Sequence, residues 1–165
     1  MAEHEGQKRG NQGFLSLNTP RELLHKLEGD LLQIQRTPQD RNVAFNFFIT
    51  ANHFPEWLCQ GDAKAAAKLR RGDPLLRLCE HLASGAKHFA PDPRRHTSSK
   101  ATGRLWISTG KGPDAPPLPG TGMEHWFVQV ADEEVSKIFQ SDWVEVSKLA
   151  AATFDRLKNL SDPNA

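Results

Sequence analysis

Four side chains close together in the chain, Asn46, Thr50, His53 and Trp57, have the types and spacing of a small polar site. At ~100° per residue they fall within about 60° of arc on one helix. Imidazole titrates near neutral pH, so His53 in such a group could serve as acid, base or ligand. The stripe has an equally good structural reading. Buried polar groups need hydrogen-bond partners, and partners on a second helix would form a seam that fixes helix register. Both readings require another element opposite the stripe. They also expect His53 to be mostly buried and neutral.

A second group lies further along. His81 and His88 stand seven residues apart, two turns along one helix face. Lys87 adjoins His88, and a neighbouring ammonium disfavours the imidazolium form. This pair could handle phosphate, or could be a solvated helix C-terminus where the dipole favours cations. From Lys87 to Arg104 there are five basic residues, Lys87, Arg94, Arg95, Lys100 and Arg104, and one acid, Asp92. Lys64, Lys68, Arg70 and Arg71 precede the same helix. A rim of this kind can touch RNA phosphates, with Arg94 and Arg95 as ligand-binding candidates, or can be a solvated loop. Cys59, Cys79, His53, His81 and His88 offer thiolate and imidazole, but no CxxC, HxxxH or HExxH spacing occurs. Cys79 falls on an apolar face as a small core residue. No metal and no cofactor is expected. GxSxG, GxxxxGK[ST] and GxGxxG are all missing from the sequence.

The elements that would position these residues are legible from caps and periodicity. Thr19-Pro20-Arg21-Glu22 is a capping box with Pro at N1, and Leu24, Leu27, Leu31 and Ile34 follow at helical spacing with Leu23 flanking. Thr37-Pro38 ends this helix. A second is expected over about 39–58, with Val43, Ala44, Phe47, Phe48, Ala51, Phe54 and Leu58 on a wide apolar face. Phe45 and Ile49 lie outside that face, which implies contact on more than one side. Pro55 should kink or shorten the last turn. A short helix over about 62–71 and a long one from Asp73-Pro74 come next, the latter with Leu75, Cys79, Leu82 and Ala86 on one face. Residues 90–103 read as loop.

Two alternating segments, 104–109 and 125–130, read as antiparallel strands. The 110–122 connection between them carries four prolines and four glycines. The short segment 134–139 is ambiguous. A last helix is expected over about 141–160, burying Val144, Leu149, Ala152, Phe154 and Leu157.

These elements make an α+β, mostly helical fold: a three- to four-helix bundle, a small antiparallel sheet and a C-terminal helix. Residues 1–13 read as a disordered tail, and 14–165 as a single globular domain, with helices over about 20–89 and strands and the final helix over about 103–160. The 165 residues suffice for one core without disulfide or metal. With 21 Lys+Arg against 20 Asp+Glu, the chain is neither a polybasic coat protein nor a globally basic DNA binder. No apolar run reaches the length of a membrane span, and the first 13 residues lack the apolar core of a secretory signal. A cytoplasmic location is expected.

Phe47-Phe48-Ile49-Thr50-Ala51-Asn52-His53, then Trp57, then Cys79-Glu80-His81-Leu82 and Gly85-Ala86-Lys87-His88-Phe89 together resemble short bacterial proteins of unassigned function. The likeness covers about residues 20–90, with an echo over 126–130. The helical part is in turn similar to the HEPN superfamily of helical-bundle ribonucleases and their inactive relatives. The ribonucleases share an R-x(4–6)-H motif in which Arg holds phosphate and His does acid–base chemistry. Here the required Arg positions are Ala83, Leu82 or His81 before His88, Leu76, Leu75 or Pro74 before His81, and Phe48, Phe47 or Asn46 before His53. Arg77 precedes His81 by one residue too few. The nearest remnant is Lys87-His88.

The resemblance implies a HEPN-like bundle without its catalytic pair: a non-enzymatic binding or accessory module with an unidentified protein partner, tied to bacterial defence or mobile elements. The alternative is a metal-independent ribonuclease using His53, His81 or His88 with Lys87 and loop arginines. A metal-dependent enzyme is a third reading.

Overall fold

The computed structural model describes residues 17–87, 98–107 and 122–162, the side chains of 86, 87, 106 and 107 excepted. The expected tail, most of the 90–103 loop and the 110–122 connection lie outside the described residues, as do His88, Arg94, Arg95 and the Lys87 side chain.

The first helix, α1 (Pro20–Arg36), starts on the expected capping box: Thr19 Oγ1 accepts from Glu22 N, and the Glu22 carboxylate accepts from Thr19 N. Backbone N–H of Asn18 and the Thr19 hydroxyl also reach that carboxylate and hold it below its ordinary range. The buried leucines are Leu23, Leu27 and Leu31, with Ile34. Leu27, Leu31 and Ile34 are as expected, and only at the start does Leu23 take the buried place of Leu24, which is half-buried.

The second helix, α2 (Arg41–Leu58), is capped by Asp40, whose carboxylate accepts from Asn42 N. Phe47, Phe48, Ala51 and Phe54 are buried, but Phe45 is 47% exposed. The helix runs through Pro55 to its expected end, because a proline in the last turn removes only one donor. A Schellman turn closes it, with Gly61 N–H on Glu56 O (2.8 Å) and Gln60 N–H on Trp57 O (3.1 Å). Gln60 and Gly61 both take positive φ there, 52° and 85°.

Helix α3 (Ala63–Gly72) is capped by Asp62. Helix α4 (Pro74–Lys87) is capped by buried Asp73, whose Oδ1 accepts from Leu75 N and Leu76 N. On α4, Leu75, Leu76, Leu78, Cys79 and Ala83 are buried and Leu82 is only half-buried.

Strand β1 (Ser99–Ile107) starts five residues earlier than the alternation predicts. Pairing with β2 (Met123–Val130) overrides the poor strand propensity of Ser, Thr and Gly, and a register shift between Ser99 and Ala101 absorbs the irregular start. The ambiguous segment is helix α5 (Glu133–Phe139), capped by Asp132.

The expected last helix begins late. Trp143–Glu145 forms a third strand, β3, and only then does α6 (Val146–Ser161) start. The second edge of β2 needs hydrogen-bond partners, and β3 supplies them antiparallel, with Val144 opposite Val128. The sheet order is β1-β2-β3. On α6 the buried residues are Val146, Leu149, Ala150, Thr153 and Leu157; Ala152 and Phe154 are half-buried.

The fold is thus mostly helical α+β. Helix α2 packs against α1, α3, α4 and α6, and α6 also meets α1 and α4. The sheet turns Val128, Val130 and Val144 into this core. No helix among the described residues is long and apolar enough to cross a membrane.

Candidate functional site

Polar residues on and beside the α2 stripe meet two neighbouring helices. Lys26 of α1 donates to Thr50 Oγ1 (2.8 Å) and pairs with Asp30 (2.5 Å), while Thr50 Oγ1 donates to Asn46 O (2.8 Å). Asn46 itself is exposed. On the other side, Arg70 of α3 donates from Nη1 to Asn52 O (3.0 Å) and to Glu56 Oε1 (3.3 Å). The His53 Nδ1 lies 3.4 Å from Glu56 Oε2. Its side chain is 39% exposed, so the expected burial does not hold. The apolar face of α2 turns Ala51 and Phe54 to the core, which leaves position 53 toward the rim near α3. Trp57 packs half-buried against the core. Lys26 thus ties Thr50 of the stripe to α1, while Arg70 ties α3 to Asn52 and Glu56 beside it.

His81 does something different. It is 9% exposed, and its Nδ1 accepts the backbone N–H of Ser99 at 3.2 Å. That role places its proton on Nε2 and docks α4 onto the start of β1. His53 and His81 therefore sit on different helices with different partners. Lys87 ends α4. Of the basic stretch, Lys100 is exposed, while Arg104 is engaged: it pairs with Glu124 (2.9 Å) and lies 5.2 Å above the Trp126 ring.

Cys79 is fully buried, 3.7 Å from Thr153 Oγ1. Burial pushes its thiol up to about 12, which suits a core residue and not a ligand or nucleophile. Among the described residues no three His, Cys, Asp or Glu side chains cluster to hold a metal ion.

Sequence reasoning missed one constellation. His125 Nδ1 lies 2.6 Å from Glu145 Oε1, and Ser147 Oγ donates to the same oxygen at 2.6 Å. Burial alone would raise the Glu145 carboxyl, but the hydrogen bonds from Ser147 and His125 and the charges of His125 and Lys148 outweigh it and hold it below the ordinary carboxylate range. The serine gives its proton to the carboxylate and not to the imidazole, so this is no nucleophile–base relay. Instead, Glu145 orients the His125 ring. The group needs β3 to exist, and three residues of alternation are too few to read as a strand.

His125 lies on the outer face of the sheet, directly opposite Leu105. The same face carries Phe127, with Gly103 and Glu145 as its partners on either side. Leu105 is 59% exposed, Trp143 46% and Met123 42%. The Trp143 ring lies across toward β1, where a Cβ on Gly103 would meet it at 3.6 Å. Gly103, Arg104, Leu105, Phe127 and Trp143 line a shallow, mostly apolar groove, beside which His125 and Glu145 face each other.

No family model matches the chain. Neither does any curated protein or any solved structure.

Proposed function

We propose that this chain is a non-enzymatic binding module, built on a HEPN-like helical bundle, that uses the open face of its sheet to associate with a second copy of itself. The observation that supports this reading is the exposure of Leu105, Met123 and Trp143 on one face. Exposed apolar side chains gathered on one surface mark interaction sites. The choice of partner follows from charge. Among the described residues the ionisable side chains of this face, His125 and Glu145, are turned to each other, so two copies related by a two-fold axis can meet like on like. Size sets the strength. Eight residues of β2 and three strands span about 26 by 14 Å. That is less than half of the ~800 Å² each partner buries in a standard interface, so the pair should be weak and concentration-dependent.

The test is sedimentation velocity of the full chain from micromolar to millimolar concentration, beside an RNA-cleavage assay in chelator. Self-association lost in Leu105→Glu, with an unchanged melting curve and no cleavage, is the expected result. A monomer at every concentration overturns the self-association. Cleavage by the wild type in chelator, abolished by His88→Ala or His53→Ala without loss of fold, overturns the non-enzymatic reading and moves the chain to the metal-independent ribonuclease.

A further inference from the structure

The inner side of the sheet holds a cavity that the reading above does not use. It lies between the N-terminal half of α2 and strands β1 and β2, with a volume of about 260 Å³. Phe48, Leu82 and Val128 line its floor, Trp126 its side, and Arg41 and Phe45 its mouth. Phe48 and Val128 are buried, whereas Phe45 is 47% exposed and Arg41 is exposed. The cavity therefore has an apolar floor and an opening to solvent.

Two features distinguish it from a packing defect. The first is its rigid wall. The Trp126 indole donates from Nε1 to Gln39 O at 3.0 Å, and the Arg104 guanidinium covers the ring at 5.2 Å while Glu124 holds that guanidinium at 2.9 Å. A wall anchored at both its edge and its face does not collapse inward, and a preformed site avoids the ordering cost of binding. The second is its charge. Arg41 and Phe45 stand four residues apart, one above the other on α2. Among the described residues Arg41 has no acidic partner; the adjacent Asp40 carboxylate is engaged with Asn42 N.

We infer that this cavity binds a small aromatic monocarboxylate, its ring between Phe48 and Trp126 and its carboxylate on Arg41. The size agrees. An apolar cavity of ~150 Å³ accepts benzene, so one of about 260 Å³ takes a single ring with a short side chain. The aromatic side chains of Phe45, Phe48 and Trp126 favour a ring over an acyl chain through edge and face contacts. A guanidinium at the mouth favours a carboxylate over a neutral group.

The experiment is an NMR titration of the full ¹⁵N-labelled chain with 3-phenylpropionate, following the Trp126 indole N–H, which is assigned by its loss in Trp126→Phe. Expected is a saturable shift of that resonance, with 3-phenylpropionamide binding about fivefold more weakly. Arg41→Gln should remove this preference for the acid and leave amide binding unchanged. Ala44→Leu, which narrows the cavity, should abolish binding of both. If Ala44→Leu fails to fold, the Arg41→Gln comparison still decides. No indole shift in the wild type at millimolar acid, or an acid preference that survives Arg41→Gln, overturns the inference. Tighter binding of octanoate than of 3-phenylpropionate overturns the aromatic class. None of these outcomes depends on self-association, which is read at Leu105 on the opposite face.

Discussion

Cys59 and Cys79 are the same side chain in opposite surroundings. Cys79 is sealed between α4 and α6 with its thiol pushed up to about 12, whereas Cys59 caps α2 and is partly exposed. The thiolate is the reactive species, so burial removes both access and nucleophile at position 79. A thiol-disulfide reagent at pH 8 should modify one thiol per chain in the native state, at Cys59, and the second only in denaturant. Rapid native labelling at Cys79 would contradict the close packing of α4 on α6. The same contrast separates the histidines. His81 is buried and spends Nδ1 on a backbone donor, while His53 stands at the rim beside Glu56. Neighbouring residue types placed both on helices. They could not say which would face the core, because that depends on where α3 and β1 come to lie.

At the level of elements, the caps carry the most information. Thr19, Asp40, Asp62, Asp73 and Asp132 each accept a hydrogen bond from the first turn of a helix. The caps at Thr19 and Asp73 are legible in the sequence because capping is a local interaction, whereas Asp40 is not legible as one and α2 starts two residues later than the 39 expected. Asp73 does more. Its Oδ1 receives Leu75 N and Leu76 N while its Oδ2 receives Arg156 Nε of α6 at 2.5 Å, so one buried carboxylate starts α4 and fastens it to the last helix. Asp73→Asn keeps a good cap and loses the ion pair. Asp73→Ala loses both and should cost about 1 kcal/mol more, the worth of a cap. Denaturant midpoints of the two variants measure that difference, and equal midpoints would show that the cap contributes nothing there. The strands were harder to read. Ser99 to Gly103 carries loop-forming residues, and β3 has three residues only; both are strands because β2 offers each an edge. Pairing across the sheet is non-local, and no window of sequence contains it.

For the whole molecule, the link between the sheet and the bundle is partly electrostatic. Glu145 ends β3, caps α6 in sequence position, and is held by His125 of β2 and Ser147 of α6. Its carboxyl titrates below the ordinary value of 4.5 in the folded chain. The unfolded chain therefore binds its proton first as pH falls. The stabilisation is complete above the ordinary value and is lost as pH drops through the lower folded one. Urea midpoints measured on either side of pH 4.5 should fall with decreasing pH, and Glu145→Gln should flatten that slope. A variant with the wild-type slope would place the acid sensitivity elsewhere. Fold class was legible from periodicity, since helical stripes are repeated signals along the chain. The outer sheet face was not, because its residues come from three strands and gain meaning only when Phe127 lies between Gly103 and Glu145.

Helix α6 also has a consequence for how the chain is made. Leu149, Ala150, Thr153 and Leu157 are fully buried where α6 meets α1, α2 and α4. Those three helices leave the ribosome well before their fourth partner. At ~5–20 residues per second, the 59 residues from 88 to 146 delay it by some seconds. Until α6 arrives, the apolar core positions of those helices, among them Leu27, Phe47 and Leu76, lack the helix that completes their cluster. A chain truncated before Val146 should therefore be cut by protease far faster than the full chain, since apolar surface left open in an intermediate invites capture and cleavage.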